Sequence, residues 1–284
     1  MQVIRAQAMG FCFGVRDALA IVETIPDPAA VTIHGELVHN ESVLIQLESA
    51  GFRVAAEDQR GRLDDRPAVL ITAHGVSDLE RSRLLAAGKQ LVDGTCPLVR
   101  RAHGAARQLA AEGRHVLVIG RPGHVEVQGI VEDLPSFDVV PDVSAVHCYA
   151  RERLGVVCQT TTAPRLAAAI LAAVRDQNPL ADIRFVDTVC QPTRDRQSAV
   201  ENLLERVEAM VVVGGRRSNN TRELVALCRE RGKPVHHVQS AAEIQPGWFA
   251  GQQTIGLTAG TSTPDAVIEA VFQRLCQLGK ESSP

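Results

Sequence analysis

One stretch constrains the fold more than any other: Leu91-Val-Asp-Gly-Thr-Cys96-Pro-Leu-Val. A short apolar run ends in an acidic turn and delivers a cysteine to the start of a predicted helix, 97–112. Proline suits the first turn of a helix, because the amide it lacks would have no partner there. A thiol at that point lies near the positive end of the helix dipole, which favours the thiolate, the form that binds metal or attacks. The arrangement recurs. Phe185-Val-Asp-Thr-Val-Cys190-Gln-Pro192 repeats the apolar run, the Asp, the Thr, the Cys and the proline. Met9-Gly-Phe-Cys12-Phe-Gly14-Val places a third cysteine at another strand-to-helix turn. The cysteines stand 84 and 94 residues apart, which predicts three similar units, each donating one thiol.

The rest of the chain alternates short apolar runs with longer helical patterns, the signature of α/β architecture with parallel sheets. Strands are predicted at 1–5, 31–34, 69–72, 91–93, 115–120, 154–159, 183–189, 209–214, 235–238 and 254–258. Helices are predicted at 16–24, 77–87, 97–112, 165–177, 194–207, 221–231 and 264–278. The expected fold is α/β: three similar small units with mostly parallel sheets, arranged pseudo-threefold around a central cavity. Their predicted limits are 14–95, 96–189, and 190–284 completed by the strand within 1–13. A chain of 284 residues is long enough for such a division. Its charged content of 22% is that of a soluble globular protein. A net charge of −3 with no basic block argues against a nucleic-acid binder. No run is long and apolar enough to suggest a signal peptide or a membrane span. Seven cysteines, an odd number thinly spread, read as reduced thiols of a cytoplasmic protein.

Open α/β sheets bind ligands at the carboxyl ends of their strands. Polar, glycine-bearing turns are expected there: 35–40 with His39, 72–76 with His74, 120–126 with His124 and Glu126, and 158–162 with Thr160. Two more follow, 214–221 with Ser218, Asn219 and Asn220, and 259–265 with Ser262. Three thiolates without a fourth suit a [4Fe–4S] cluster with one iron not held by the protein. Hydroxyl, amide and imidazole donors near helix starts suit phosphate. There is no Walker lysine and no GxGxxG, so a nucleotide site lacks support. Glu126 is the one carboxylate placed to deliver protons among those donors.

Nine motifs now stand in order: Gly-Phe-Cys12-Phe-Gly-Val, Val-His39-Asn, Ala-His74-Gly-Val, Thr-Cys96-Pro-Leu-Val, Gly-His124-Val-Glu126-Val, Gln159-Thr-Thr, Cys190-Gln-Pro-Thr-Arg-Asp-Arg-Gln197, Ser218-Asn-Asn220-Thr and Ala259-Gly-Thr-Ser262-Thr-Pro-Asp. Together they resemble the 4-hydroxy-3-methylbut-2-enyl diphosphate reductase (LytB) family, almost end to end. The resemblance implies a reductive dehydroxylation that ends the methylerythritol phosphate route to isoprenoids. It implies that Cys12, Cys96 and Cys190 hold the cluster, and that Glu126 is the proton source with Thr160 beside it. His39, His74, His124, Ser218, Asn219, Asn220 and Ser262 would clamp the diphosphate, with Thr160 on the hydroxyl and His124 also in the proton path. Electrons would come from ferredoxin or flavodoxin. Four positions depart from the family pattern: Pro192 for a small residue, Asn219 for a serine, Arg217 for a residue that is often uncharged and, mildly, Gly94 before Thr95.

Bland alternatives accompany these readings. Cys148, Cys158, Cys228 and Cys276 are expected to be buried small hydrophobes. His34, His103, His115, His147, His236 and His237 are expected to be structural or surface residues. Competing functions are a paralogue reducing a related allylic diphosphate, a non-redox metal or thiol binding protein, and a cluster-free phosphosugar hydrolase or isomerase using Glu126 and a histidine.

Overall fold

The computed structural model describes residues 1–281. Its strands, in chain order, are β1 (Gln2–Arg5), β2 (Val31–His34), β3 (Arg53–Val54), β4 (Ala68–Ile71), β5 (Gln90–Asp93) and β6 (His115–Ile119). They continue with β7 (Phe137–Val140), β8 (Arg153–Cys158), β9 (Asp182–Phe185), β10 (Ala209–Val213), β11 (Val235–Val238) and β12 (Thr254–Ala259). The α-helices are α1 (Phe13–Glu23), α2 (Glu41–Ser49), α3 (Asp78–Ala86), α4 (Pro97–Ala111) and α5 (Val125–Val131). After them come α6 (Pro164–Gln177), α7 (Gln191–Leu204), α8 (Asn219–Glu230) and α9 (Asp265–Glu281).

The strands form three four-stranded sheets with the orders β3-β2-β4-β5, β7-β6-β8-β9 and β11-β10-β12-β1. Every pairing is parallel. The three orders are one pattern. In each, the edge strand at one end leads to a cysteine: β5 to Cys96, β9 to Cys190 and β1 to Cys12. The third sheet takes that strand from the opposite end of the sequence, with Gln2 opposite Thr254.

Continuous apolar runs become central strands because helices cover both faces of the sheet. In β6, Leu117 and Ile119 pack with Ile170 and Val174 of α6. The alternate residues Val116 and Val118 pack with Ala102 and Leu109 of α4 and Ile130 of α5. In β10, Val211 and Val213 point to the α9 side with Val271 and Leu275. Met210 and Val212 point to the α7 and α8 side with Val200 and Leu224. The chain gathers into two compact units. One comprises Met1–Val15, His39–Val43 and the chain from Gln191 on, and the other comprises Arg16–Val38 and Leu44–Cys190.

Several expectations need correction. The segment after Gly123 is not a turn but the seven-residue helix α5, so Glu126 is helical. Glu41–Ser49 is also a helix, and β3 and β7 were not anticipated. The strand expected at 183–189 ends at Phe185. Cys158 and Cys228 are buried as expected, but Cys148 is exposed and Cys276 only half-buried. Among the described residues no helix is long and apolar enough to cross a membrane.

Candidate active site

Cys12, Cys96 and Cys190 each stand immediately before the first residue of a helix: α1, α4 and α7. Each is half-buried and outside any disulfide. The backbone around them repeats as well. Cys12 N–H donates to the carbonyl of Thr261 (3.2 Å), Cys96 N–H to that of Ala73 (3.1 Å) and Cys190 N–H to that of Thr160 (2.9 Å). Each acceptor lies two residues beyond the end of the neighbouring strand, β12, β4 or β8. The ladder is thus carried past the sheet, and the backbone of each cysteine is tied to the turn that bears the polar residues. Arg196 of α7, buried, adds a further tie: its guanidinium donates to the carbonyl of Gly10 (2.5 Å), two residues before Cys12.

In the unit holding Cys96 and Cys190, the centre of the polar set is Glu126, 1% exposed. Thr160 N–H donates to its Oε1 (2.6 Å) and the Thr160 hydroxyl to its Oε2 (3.0 Å). Burial raises the Glu126 pKa from 4.5 to about 7, against the opposing effect of the two Thr160 hydrogen bonds. Burial penalises the charged form, and no cation offsets it here. The carboxyl is therefore poised to hold or release a proton near neutrality. His124 caps α5, its Nδ1 accepting from Glu126 N–H (3.1 Å). An accepting Nδ1 places the proton of a neutral ring on Nε2. The His74 ring meets the His124 ring edge-on, centroids 5.8 Å apart. Gly75 beside it has φ +72, which lets the chain turn out of β4 directly after His74.

The other unit assembles the remaining donors. Ser218 caps α8, its hydroxyl accepting from Thr221 N–H (3.3 Å). Asn220 is buried; its Oδ1 accepts from Thr261 N–H (3.1 Å) and its amide donates to the Thr193 hydroxyl (3.4 Å). The Ser262 hydroxyl donates to the carbonyl of His39 (3.3 Å). Asn40 caps α2, accepting from the N–H groups of Ser42 (3.1 Å) and Val43 (3.4 Å). Gly215 brings the backbone against His39, and a Cβ there would overlap the His39 carbonyl oxygen. His39, Asn219, Asn220 and Ser262 are all at least nine-tenths buried. Arg217 is exposed, and Pro192 lies buried in the first turn of α7.

Arg196, Thr193 and Asn40 were not singled out individually from sequence, although two of them lie within the Cys190–Gln197 motif. A buried arginine signals itself only by its position on the apolar face of α7. The expected site residues divide between the two compact units. Cys12, His39, Ser218, Asn219, Asn220 and Ser262 lie in one, and Cys96, Cys190, His74, His124, Glu126 and Thr160 in the other.

Parallel α/β sheets with cysteines at helix starts, a buried carboxyl poised near neutrality and a set of neutral donors belong to an enzyme of the reductase class. The chain belongs to the LytB protein family, whose model matches residues 3–276. It is 35% identical over 288 residues to the 4-hydroxy-3-methylbut-2-enyl diphosphate reductase of Anaeromyxobacter sp. (strain Fw109-5), covering 100% of both chains. It is also similar to the solved structure of the E-1-hydroxy-2-methyl-but-2-enyl-4-diphosphate reductase from Plasmodium falciparum. There the TM-score is 0.87 and the identity 25%, covering 95% of this chain and 86% of that one. A second solved structure, (E)-4-hydroxy-3-methyl-but-2-enyl diphosphate reductase, the terminal enzyme of the non-mevalonate pathway, gives a TM-score of 0.67. It is 30% identical, covering 97% of this chain and 99% of that one.

Proposed function

We propose that the chain is a 4-hydroxy-3-methylbut-2-enyl diphosphate reductase. It removes the allylic hydroxyl of its substrate, giving isopentenyl and dimethylallyl diphosphates. The balance is two electrons and two protons in and one water out. The allylic C–O bond breaks, one proton leaves with the hydroxyl as water, and the other ends on an allylic carbon. Electrons come from an external one-electron protein of the ferredoxin or flavodoxin kind.

The donor set fits an iron–sulfur cluster. Cys12, Cys96 and Cys190 stand at helix starts beside strand ends, and cysteine thiolates are the usual ligands of such clusters. Bound there, a [4Fe–4S] cluster with three cysteine ligands supplies the electrons of the reduction. We assign its ligation to these three because the same backbone setting recurs at each of them and at no other cysteine. The three sheets correspond in this reading to three units, 14–95, 96–189, and 190–284 completed by 1–13.

The chain's own residues do the rest. Glu126 carries the proton; the Thr160 hydroxyl, which can donate or accept, lets that carboxyl hold or release it without losing its partner. His124, with its proton on Nε2, offers a donor there, and the His74 ring stands against it. Ser218, Asn219, Asn220, Ser262 and His39 offer neutral donors to the diphosphate, helped by the amino end of the twelve-residue α8. The observation that carries the reading is one residue, Thr160. It binds Glu126 with its N–H and hydroxyl and accepts the Cys190 N–H with its carbonyl. Proton source and electron entry are thereby built on one turn. Anaerobic purification, iron and sulfide counting, and dithionite–viologen reduction of the hydroxybutenyl diphosphate test it. A colourless, iron-free protein with no turnover would reject it.

A further inference from the structure

His103 lies on α4, seven residues after Cys96, and is 8% exposed. The surface it meets belongs to another helix. A Cβ built on Gly129 of α5 would lie 3.0 Å from Cε1 of His103, 3.5 Å from Nε2 and 3.5 Å from the Cα of Val76. The edge of the imidazole therefore rests on the bare Cα of Gly129, in a notch that a side chain would close. Gly129 also sits against Val76, at the end of the turn that carries His74. Gly129 follows Glu126 by three residues, on the same side of α5.

Nε2 of His103 is buried without a hydrogen-bond partner. A buried polar atom with no partner is costly, and an apolar residue would avoid that cost. The seam nevertheless holds an imidazole. Burial keeps the ring neutral, lowering its pKa to about 4 against the pull of Asp133. As a neutral, flat five-membered ring it is a rigid spacer between α4 and α5.

The ionisable groups around α5 are few. His124 caps it, His74 faces His124, and His103 lies on Gly129. At its far end Glu132 accepts from the Ser77 hydroxyl (2.6 Å) and Asp133 from Asp78 N–H (2.8 Å), with Arg60 near Glu132. His124 bonds only the Glu126 backbone N–H, and the carboxyl's hydrogen bonds go to Thr160, so its environment depends on how closely α5 is held.

We propose that His103 is a positioning residue for Glu126. Its ring fixes the spacing of α4 and α5 at Gly129, and through that spacing the dryness of the Glu126–Thr160 pair. The catalytic meaning of this rests on Glu126 being the proton source, but the positional claim does not.

The test is an infrared pH titration of the purified protein, following the protonated carboxyl band assigned to Glu126 by its loss in Glu126→Gln. The wild-type band is expected to disappear with a midpoint near 7. His103→Ala opens the seam to water, and its midpoint is expected to fall by about one pH unit. Gly129→Ala pushes the ring away and should lower the midpoint in the same direction. The double variant His103→Ala/Gly129→Ala puts a methyl in the vacated space and should recover much of the shift. In the cluster-loaded enzyme, kcat should fall about tenfold in His103→Ala while KM moves little, as for a group that acts on the transition state alone. Should both single variants lower thermal stability and leave the infrared midpoint where it was, His103 is packing only and the proposal fails. The midpoint decides this by itself, whatever turnover Glu126→Gln shows.

Discussion

Glu126→Gln separates the chemistry of the site from its stability. The folded protein holds the Glu126 proton up to about 7, whereas the unfolded chain releases it near 4.5. Between those values the fold binds more protons than the unfolded state, so stability falls as pH rises through that window. Each pH unit of displacement corresponds to about 1.4 kcal/mol, so the ionised carboxyl costs the fold about 3 kcal/mol at pH 8. Glutamine copies the protonated acid: its carbonyl accepts from Thr160 N–H and its amide donates to the Thr160 hydroxyl. The substitution should be nearly neutral at pH 4.5 and stabilising by about 3 kcal/mol at pH 8. Urea unfolding of both proteins across that range, in parallel, measures the difference. Contributions from His34 and His103 are common to both and cancel. A wild-type–variant difference that stays flat from pH 4.5 to 8 would refute the claim that burial controls this carboxyl. Turnover of the variant should drop by about 10²–10⁴, the usual worth of a positioned general acid.

Other perturbations probe other parts of the site. Cys190→Ser should abolish both the brown colour and turnover, with iron content as the readout, while Cys158→Ser, at a buried cysteine away from a helix start, should retain the iron. Ser218→Ala removes the cap of α8 and should cost about 1 kcal/mol in thermal unfolding, with a higher KM for the diphosphate. His34 is buried beside Glu80 (2.9 Å), with its pKa lowered to about 4, chiefly by desolvation. The unfolded chain protonates this residue first, so stability should fall as pH drops from 6.5 towards 4. A His34→Gln variant should lose much less over the same window in urea titrations.

How much of this was legible in the sequence differs by element. The central strands announced themselves: β6 and β10 are unbroken apolar runs because both faces are covered. The pairing of β1 with the last sheet followed from Cys12 matching Cys96 and Cys190 in context. The missed elements failed for local reasons. β7 sits between Pro135 and Asp142 with Asp138 inside it, and reads as loop. α5 is only seven residues, rich in valine and interrupted by Gly129, so it carries neither length nor helix propensity. Its identity as a helix is tertiary, fixed by packing on α4. The cysteines, histidines and Thr160 were visible as residue types at strand ends. The depth of Glu126 was not, because nothing in a His-Val-Glu-Val run tells a dry carboxyl from a wet one. Arg196 was hidden for the same reason, since its partner is a backbone carbonyl far away in sequence.

The borrowed edge strand of the third sheet has a consequence in time. β1 is made about 250 residues ahead of β12, the strand it lies beside. The other two sheets can close around their own thiols while synthesis continues, since domains tend to fold as they appear. Cys12 must wait until β12 and the turn after it have been made, because its N–H pairs with the Thr261 carbonyl. A nascent chain stalled before Thr254 therefore has the strands leading to Cys96 and Cys190 paired in their sheets, while β1 still lacks its partner.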